Sequence, residues 1–182
     1  MKPENESQKN DLKEEILSYI KMLVFVVAFV SIVNGLLLIN AKIPSSSMEN
    51  TIMVNDRIFG NRLAYRSNDP ERFDIIIFKY PDDESKKYIK RIIGMPGDTV
   101  VINEGKVYIN GDSEPLPNSF CPEEPIGSFG PYEVPEGCYF VMGDNRNNSN
   151  DSRFWKNHYV SREQILGKAV LRYWPLDSIG WI

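Results

Sequence analysis

Ser47 and Lys90 are the two residues whose types and surroundings could do chemistry together. Ser47 lies in the run Pro44-Ser-Ser-Ser-Met48, and Lys90 lies in the apolar, strand-like stretch Tyr88-Ile-Lys-Arg-Ile-Ile-Gly94. A serine nucleophile needs a base to take its proton, and the chain has a single histidine, His158. A lysine can be that base when burial lowers its pKa enough to leave the amine neutral. The pair therefore predicts a serine–lysine hydrolase.

Each of these two segments also has a simpler interpretation. A run of serines is usually a flexible or capping turn, and a strand with two basic residues can be an edge strand whose side chains reach solvent. Adjacent strand residues point to opposite faces, so either Lys90 or Arg91 must face whatever packs on the strand. If Lys90 does, its neutral form is favoured, because charging a buried amine costs several kcal/mol. The pattern alone leaves this open.

A third segment, residues 143–155, reads Gly-Asp-Asn-Arg-Asn-Asn-Ser-Asn-Asp-Ser-Arg-Phe-Trp and has the composition of a loop. It could be a solvated surface turn or, because Asp and Asn alternate in it, a calcium-binding loop. An EF-hand is excluded, since it needs a glutamate at its last ligand position and flanking helices. The functional alternative is a hydrogen-bonding support for Lys90. We expect the nearby His158 to be structural.

Residues 22–39 carry no charge. As a helix they would span about 27 Å, near the thickness of a bilayer core. A buried helix of a soluble domain would be amphipathic, and this run is apolar on all faces. A cleavable signal peptide would follow a short basic segment, whereas five acidic residues precede this one. The sequence therefore predicts a polar tail over 1–15 and an uncleaved transmembrane helix over 16–39.

The distribution of basic residues predicts the orientation of this helix. Four lysines precede the apolar run, and after it Lys42 is followed by no basic residue until Arg57. Basic residues are retained on the cytoplasmic side, so we expect a single-pass protein with its N-terminus in the cytoplasm and residues 40–182 outside the cell.

The sequence after residue 40 has the short, turn-punctuated runs of an antiparallel β domain. Strands are expected near 57–65, 74–80, 88–93, 99–103, 106–110, 138–142 and 164–174, with a two-residue hairpin turn at Glu104-Gly105 and a loop over 112–137. The predicted fold class is thus mostly β, with an N-terminal membrane helix.

Bulk properties exclude several classes of protein. A chain of 182 residues accommodates one moderate domain and an anchor, and a net charge of −4 argues against a nucleic-acid partner. Cys121 and Cys138 fit no zinc motif and are too few for a disulfide-rich scaffold. Whether these two cysteines pair, and whether Trp181 lies in the core or at a membrane interface, is left open.

Four motifs follow the apolar run in a fixed order. They are Ser-x-Ser-Met-x-x-Thr from Ser45, Asp-Ile-Ile-Ile-Phe-Lys-Tyr-Pro from Asp74, Lys-Arg-Ile-Ile-Gly-Met-Pro-Gly-Asp from Lys90, and Gly-Asp-Asn-Arg-x-Asn-Ser-x-Asp-Ser-Arg from Gly143. Together they resemble the type I signal peptidases (leader peptidases) of the Ser-Lys class over about residues 22–174. The short chain and simple anchor are similar to the single-span bacterial form.

This resemblance implies a role for each matching residue. Ser47 would be the nucleophile and Lys90 the general base, while the Ser45 hydroxyl and the Ser47 backbone N–H would form the oxyanion hole. Ser149 would orient Lys90. The ion pair of Asp151 and Arg153, with Arg91 as a further partner, would brace the site. Substrate-binding pockets would be lined by Ile43, Pro44, Met48, Ile52, Ile58, Ile77, Tyr88 and Ile89.

The resemblance also implies a membrane-bound serine endopeptidase with a β-barrel-like core. It would remove N-terminal signal peptides from exported precursor proteins, cutting after small residues at −1 and −3, as a monomer at the lipid bilayer without metal or cofactor. The alternatives are a self-cleaving repressor, which would carry a DNA-binding domain instead of a membrane span, and an inactive membrane-anchored peptide-binding module, which would not need both Ser47 and Lys90.

Three positions depart from the family pattern. Asn50 replaces the usual proline, Phe73 replaces the glycine of an Arg-Gly-Asp, and Asn147 replaces the aspartate of an Asp-Asn-Ser. None of these removes a proposed catalytic group. We expect them to bear on the substrate repertoire, with a looser backbone after Ser47 and an altered pocket shape.

Overall fold

The computed structural model describes residues 4–121 and 123–182. Its N-terminal element is helix α1 (Glu4–Ile32), which continues as a π-helical turn (Val33–Leu37) before strand β1 begins at Leu38. The helix thus starts within the segment predicted as a polar tail, because lysines and glutamates there are good helix formers. It also ends before Ile39, which belongs to β1.

Within the described part of the chain, one helical segment, Leu12–Leu37, is long and apolar enough to cross a membrane. Its large apolar side chains are exposed on every face of the helix, as at Leu23 and Phe25. A helix that is apolar all round is typical of a membrane span rather than of a surface helix with one buried face.

The β unit comprises residues 39–182. Its strands form an eight-stranded sheet in the order β1-β2-β10-β3-β4-β8-β9, with β11 also pairing with β10, and a three-stranded sheet in the order β6-β5-β7. The strands after β1 (Leu38–Lys42) are β2 (Arg57–Asn61), β3 (Ile75–Tyr80), β4 (Asp83–Gly94), β5 (Thr99–Asn103), β6 (Lys106–Ile109), β7 (Phe129–Glu133), β8 (Cys138–Met142), β9 (Val160–Ser161), β10 (Ile165–Trp174) and β11 (Gly180–Trp181).

The predicted fold class is confirmed, because the sheets are mostly antiparallel. The hairpin at Glu104-Gly105 joins β5 to β6, and both turn residues have positive φ, 48° and 82°, as a two-residue turn of type I′ requires. The loop predicted over 112–137 contains β7, which Gly130 and Pro131 hid from the strand pattern. Cys121 and Cys138 are both free thiols.

Strand β3 is buried on both faces and fixes the position of its neighbour β4. Ile76 and Phe78 pack in one core cluster with Ile92, while Ile75 and Ile77 pack in another on the opposite face. The continuous apolar run of β3 therefore reflects burial on two sides. Burying each such side chain contributes about 1.5–3 kcal/mol, which makes this pair of strands a rigid support.

Candidate active site

Strand β4 places Lys90 in the interior of the large sheet. The strand pairs with β3, where Lys90 is the register partner of Ile76, and with β8, where Arg91 is the register partner of Met142. It is therefore not an edge strand. Lys90 is only 4% exposed. Burial lowers the pKa of Lys90 to about 8, against the opposing influence of nearby carboxylates. The neutral amine is therefore accessible at mildly alkaline pH.

Ser47 lies beside Lys90, although 43 positions separate the two in the sequence. The Oγ of Ser47 is 2.5 Å from the Nζ of Lys90, and both residues are buried. The same Nζ donates a hydrogen bond to the carbonyl of Ile89 at 3.1 Å. The Oγ of Ser45 is 3.5 Å from the Oγ of Ser47. A hydroxyl this close to a buried amine is positioned to lose its proton to it.

The turn after Ser47 is anchored in the core. Met48 and Ile52 are fully buried in the cluster that contains Ile58, Ile75 and Ile77. The N–H of Ile52 donates to the carbonyl of Met48 at 2.8 Å. The backbone of the nucleophile therefore leads directly into a packed segment.

Residues 143–153 form a loop, here called the support loop. It packs on the run Pro44–Met48, here called the serine segment. The N–H of Asn145 donates to the carbonyl of Ser47 at 3.2 Å, and its side-chain amide donates to the carbonyl of Ser46 at 3.2 Å. The side-chain amide of Asn148 donates to the Oγ of Ser46 at 2.8 Å. These contacts hold the serine segment in addition to its anchor in the core, and neither asparagine was singled out from sequence.

An ion pair between the partly buried Arg91 and the fully buried Asp144 joins strand β4 to the support loop. The Nε and Nη2 of Arg91 lie 2.8 and 2.7 Å from the two carboxylate oxygens of Asp144, which is 0% exposed. The hydroxyl of Thr51 donates to the same carboxylate at 2.5 Å. Arg91 was expected to join Asp151 and Arg153, and its partner is instead Asp144.

Asp151 and Arg153 form the ion pair expected of them. The Nε and Nη2 of Arg153 lie 2.8 and 2.9 Å from the two carboxylate oxygens of Asp151, and both residues are buried. Asp151 also accepts a hydrogen bond from the N–H of Gly143 at 3.0 Å. The pair therefore closes the support loop on itself.

Ser149 is buried but is not hydrogen-bonded to Lys90. Among the residues described, its hydroxyl has no hydrogen-bond partner. A buried hydroxyl without a partner is costly, so this group has unused capacity inside the site. Its role in orienting Lys90 stays a prediction.

Two adjoining cavities lie along the serine segment and β4. The inner cavity, about 320 Å³, is lined by residues 44–47, 87–90, 148 and 150 and contains Ser47 and Lys90. The outer cavity, about 240 Å³, is lined by residues 39–44, 77 and 87–89. A larger cavity of about 470 Å³, at the three-stranded sheet, contains none of the predicted site residues.

The predicted substrate-binding residues divide between cavity walls and core. Pro44, Tyr88 and Ile89 line both cavities, and Ile43 and Ile77 line the outer one. The others, Met48, Ile52 and Ile58, line neither cavity and are fully buried in the core cluster that includes Ile43 and Ile77. They can shape the cavities only by supporting the residues that do.

Asn147 has a structural reason for replacing an aspartate. Its amide nitrogen donates to the carboxylate of Glu123 at 3.0 Å and to the carbonyl of Glu124 at 3.1 Å. Its amide oxygen accepts a hydrogen bond from the N–H of Ile126 at 2.8 Å. An ionised aspartate could not donate and would repel Glu123, so the amide suits this neighbourhood.

Asn50 adopts a backbone conformation that proline cannot. Its φ is 80°, in the left-handed region, whereas the proline ring holds φ near −65°. The N–H of Thr51 donates to the carbonyl of Met48 at 3.2 Å and closes a turn around this residue. A proline would therefore not fit this turn, and the effect of Asn50 on substrate range stays a prediction.

Comparison with known proteins decides the family. The family model described as signal peptidase, peptidase S26, matches residues 16–174. The chain belongs to this signal peptidase family. The match includes Ser47, Lys90 and the whole support loop.

Members of the signal peptidase family match different shares of this chain. A probable signal peptidase I-2 from Synechocystis is 45% identical over 76% of this chain, and this match spans 64% of that protein. Signal peptidase I from Bacillus amyloliquefaciens is 32% identical over 96% of this chain and 97% of its own length. A solved signal peptidase I from Enterococcus faecalis is 34% identical, with a TM-score of 0.47, and covers 56% of this chain and 97% of that one.

The turn at Asn50 can be tested by restoring the proline that the family usually has. We expect Asn50→Pro to lower the free energy of unfolding by more than about 1 kcal/mol, because the ring cannot reach a φ of 80°. Asn50→Gly, which tolerates positive φ, should retain stability to within about 1 kcal/mol. Urea unfolding of the full chain in detergent measures both, and equal or greater stability of the proline variant would contradict the turn described.

Gly143 can be tested because a side chain there has no space. A Cβ at this position would overlap both the carbonyl oxygen of Ser47 and the hydroxyl of Ser149. We expect Gly143→Ala to displace Ser47 from Lys90 and reduce precursor cleavage by about a hundredfold. Gly180→Ala is the matched control, since nothing lies within 4 Å of its added Cβ. Wild-type cleavage by the Gly143 variant would show that this close contact is not needed.

Proposed function

We propose that this protein is a membrane-bound serine endopeptidase of the signal peptidase I type, which removes N-terminal signal peptides from exported proteins with a Ser-Lys dyad. The observation that carries the proposal is the 2.5 Å distance between the Ser47 Oγ and the buried Lys90 Nζ. Membership in the signal peptidase family supports the substrate class.

The proposed reaction begins with proton transfer from Ser47 to neutral Lys90. The serine oxygen attacks the carbonyl carbon of the scissile peptide bond, and the carbonyl oxygen becomes an oxyanion. Lys90 then passes its proton to the leaving amine, which departs and leaves an acyl-enzyme. A water molecule that gives its proton to Lys90 attacks the ester, and Lys90 returns that proton to the serine oxygen as the ester bond breaks, which releases the signal peptide and regenerates Ser47 and neutral Lys90.

The oxyanion needs hydrogen-bond donors that are fixed before it forms. We assign this role to the Ser45 hydroxyl and the Ser47 backbone N–H. The position of Ser45 supports the assignment, since its Oγ is 3.5 Å from the nucleophilic oxygen and it lines the inner cavity. One such donor stabilises the transition state by about 3–4 kcal/mol in other hydrolases.

The two cavities suit an extended peptide with small side chains at alternate positions. Side chains at −1 and −3 of an extended chain point to the same face. We place −1 in the inner cavity beside Ser47 and −3 in the outer cavity, whose walls include Ile43, Ile77 and Ile89. Small apolar residues at these two positions would fit the limited volumes.

We further propose that Leu12–Leu37 spans the membrane once, with the N-terminus in the cytoplasm and the β unit outside the cell. A signal peptide is itself inserted in the bilayer, so an anchored protease would meet its substrate in the same plane. Each proposed catalytic group comes from one chain, which supports function as a monomer.

Substitution of the dyad tests this assignment directly. Ser47→Ala and Lys90→Ala should each reduce precursor cleavage by more than about a thousandfold, because each removes a group that acts in the bond-breaking step. Lys86→Ala is the control, since Lys86 is on the same strand but exposed and paired with Asp83. The dyad is wrong if either dyad variant still cuts at the wild-type rate.

The pH dependence tests the lysine as the base. Below its pKa of about 8, Lys90 is charged and cannot accept a proton, so kcat/KM should fall roughly tenfold per unit as pH decreases through and below that value. His158→Gln should leave this inflection in place, because the His158 ring contacts the carbonyl of Ser152 rather than the dyad. A rate that stays constant down to pH 6 would exclude Lys90 as the base.

A further inference from the structure

Two lysines, Lys42 and Lys87, stand at the edges of the proposed substrate path. Both line the outer cavity, and they come from different strands, Lys42 from β1 and Lys87 from β4. Lys87 also lines the inner cavity, which contains Ser47. Both side chains are exposed, so their ammonium groups can meet a ligand that enters the cavities.

Among the residues that the structure describes, these two lysines differ from their neighbours in having no charge partner. On the same hairpin, Lys79 lies 3.3 Å from Glu84 and Lys86 lies 2.9 Å from Asp83, so both are in ion pairs. Neither Lys42 nor Lys87 forms an ion pair or a side-chain hydrogen bond with any residue that the structure describes. Two positive charges without a partner among the described residues therefore line an otherwise largely apolar cavity.

The cavity walls between these lysines are mainly aliphatic, with Ile39, Ala41, Ile43, Ile77 and Ile89 contributing. A ligand that matches the aliphatic wall and the two lysines has small apolar groups against that wall, here called the floor. It carries a negative charge near the lysines, at what is here called the rim. An extended peptide separates the two kinds of group, because successive side chains point to opposite faces. With −1 and −3 toward the floor, the side chains at −2 and −4 point toward the rim.

We propose that Lys42 and Lys87 make this protein prefer substrates with an acidic side chain at −2 or −4; the inference rests on the proposed function. Lys87 lines both cavities and so lies beside −2, which falls between them. Lys42 lines only the outer cavity and so lies beside −4. Both contacts are solvent-exposed, so each should change kcat/KM by only about two- to fivefold and should weaken at high salt.

Matched peptides can measure this preference. The full chain in neutral detergent would cut four peptides that share Ala at −1 and −3 and carry Glu or Gln at −2 or at −4. Wild type should prefer Glu over Gln by about two- to fivefold at each position, and 0.5 M NaCl should reduce the ratio. Lys87→Gln should abolish the preference at −2, and Lys42→Gln should abolish it at −4. Lys86→Gln, outside both cavities, should keep the wild-type ratios.

Other outcomes overturn the inference. If wild type cuts the Gln peptides but shows no preference for Glu, or if the preference survives in the Lys42→Gln/Lys87→Gln variant, the inference fails while the proposed function stands. If wild type cuts none of the peptides and no precursor, the proposed function fails.

Repeating the assay with phosphatidylcholine vesicles, with and without phosphatidylglycerol, distinguishes binding of anionic lipid from recognition of an acidic substrate side chain. A Glu/Gln ratio of one, with stimulation by phosphatidylglycerol lost in the double variant, would assign these lysines to anionic lipid instead.

Discussion

The ion pair between Arg91 and Asp144 is the interaction on which the geometry of this site depends. It connects β4, the support loop and, through Thr51, the turn that follows Ser47. Arg91 also donates to the carbonyl of Phe73 at 2.9 Å. Removing Arg91 would leave the fully buried Asp144 as an uncompensated charge, which is destabilising. The three segments are therefore held together by one electrostatic unit next to the proposed base.

The charges near Lys90 act on its pKa in opposite directions. Burial lowers the pKa of Lys90, whereas the nearby carboxylates of Asp151 and Asp144 raise it. Each carboxylate has an arginine at hydrogen-bonding distance, Arg153 for the first and Arg91 for the second. Of these two arginines, Arg153 also lowers the pKa of Lys90 and so acts in the same direction as burial. The pair of Asp151 and Arg153 thus bears on the chemistry as well as on the packing.

What could be predicted from sequence was local or carried by the resemblance. Alternation placed Lys90 and Arg91 on opposite faces of a strand, and turn composition located the hairpin at Glu104-Gly105. The partner of Arg91 was missed because Asp144 lies 53 positions away, and only the pairing of β4 with β8 brings the two together. Strand β7 was missed because its glycine and proline break the pattern that identifies strands, and α1 extends into a polar segment whose helical backbone needs no apolar face.

Side-chain amides hold much of the serine segment, and amides do not titrate. Asn145 and Asn148 bind the serine segment, and Asn147 binds the stretch around Glu123 and Ile126. Aspartates in their places would exchange protons with solvent under acid conditions and alter these contacts as they did so. With amides, these contacts of the asparagine side chains carry no charge of their own to gain or lose while Lys90 gains or loses its proton. Acidity can then set the speed of the reaction without removing the hydrogen bonds that Asn145 and Asn148 make to Ser46.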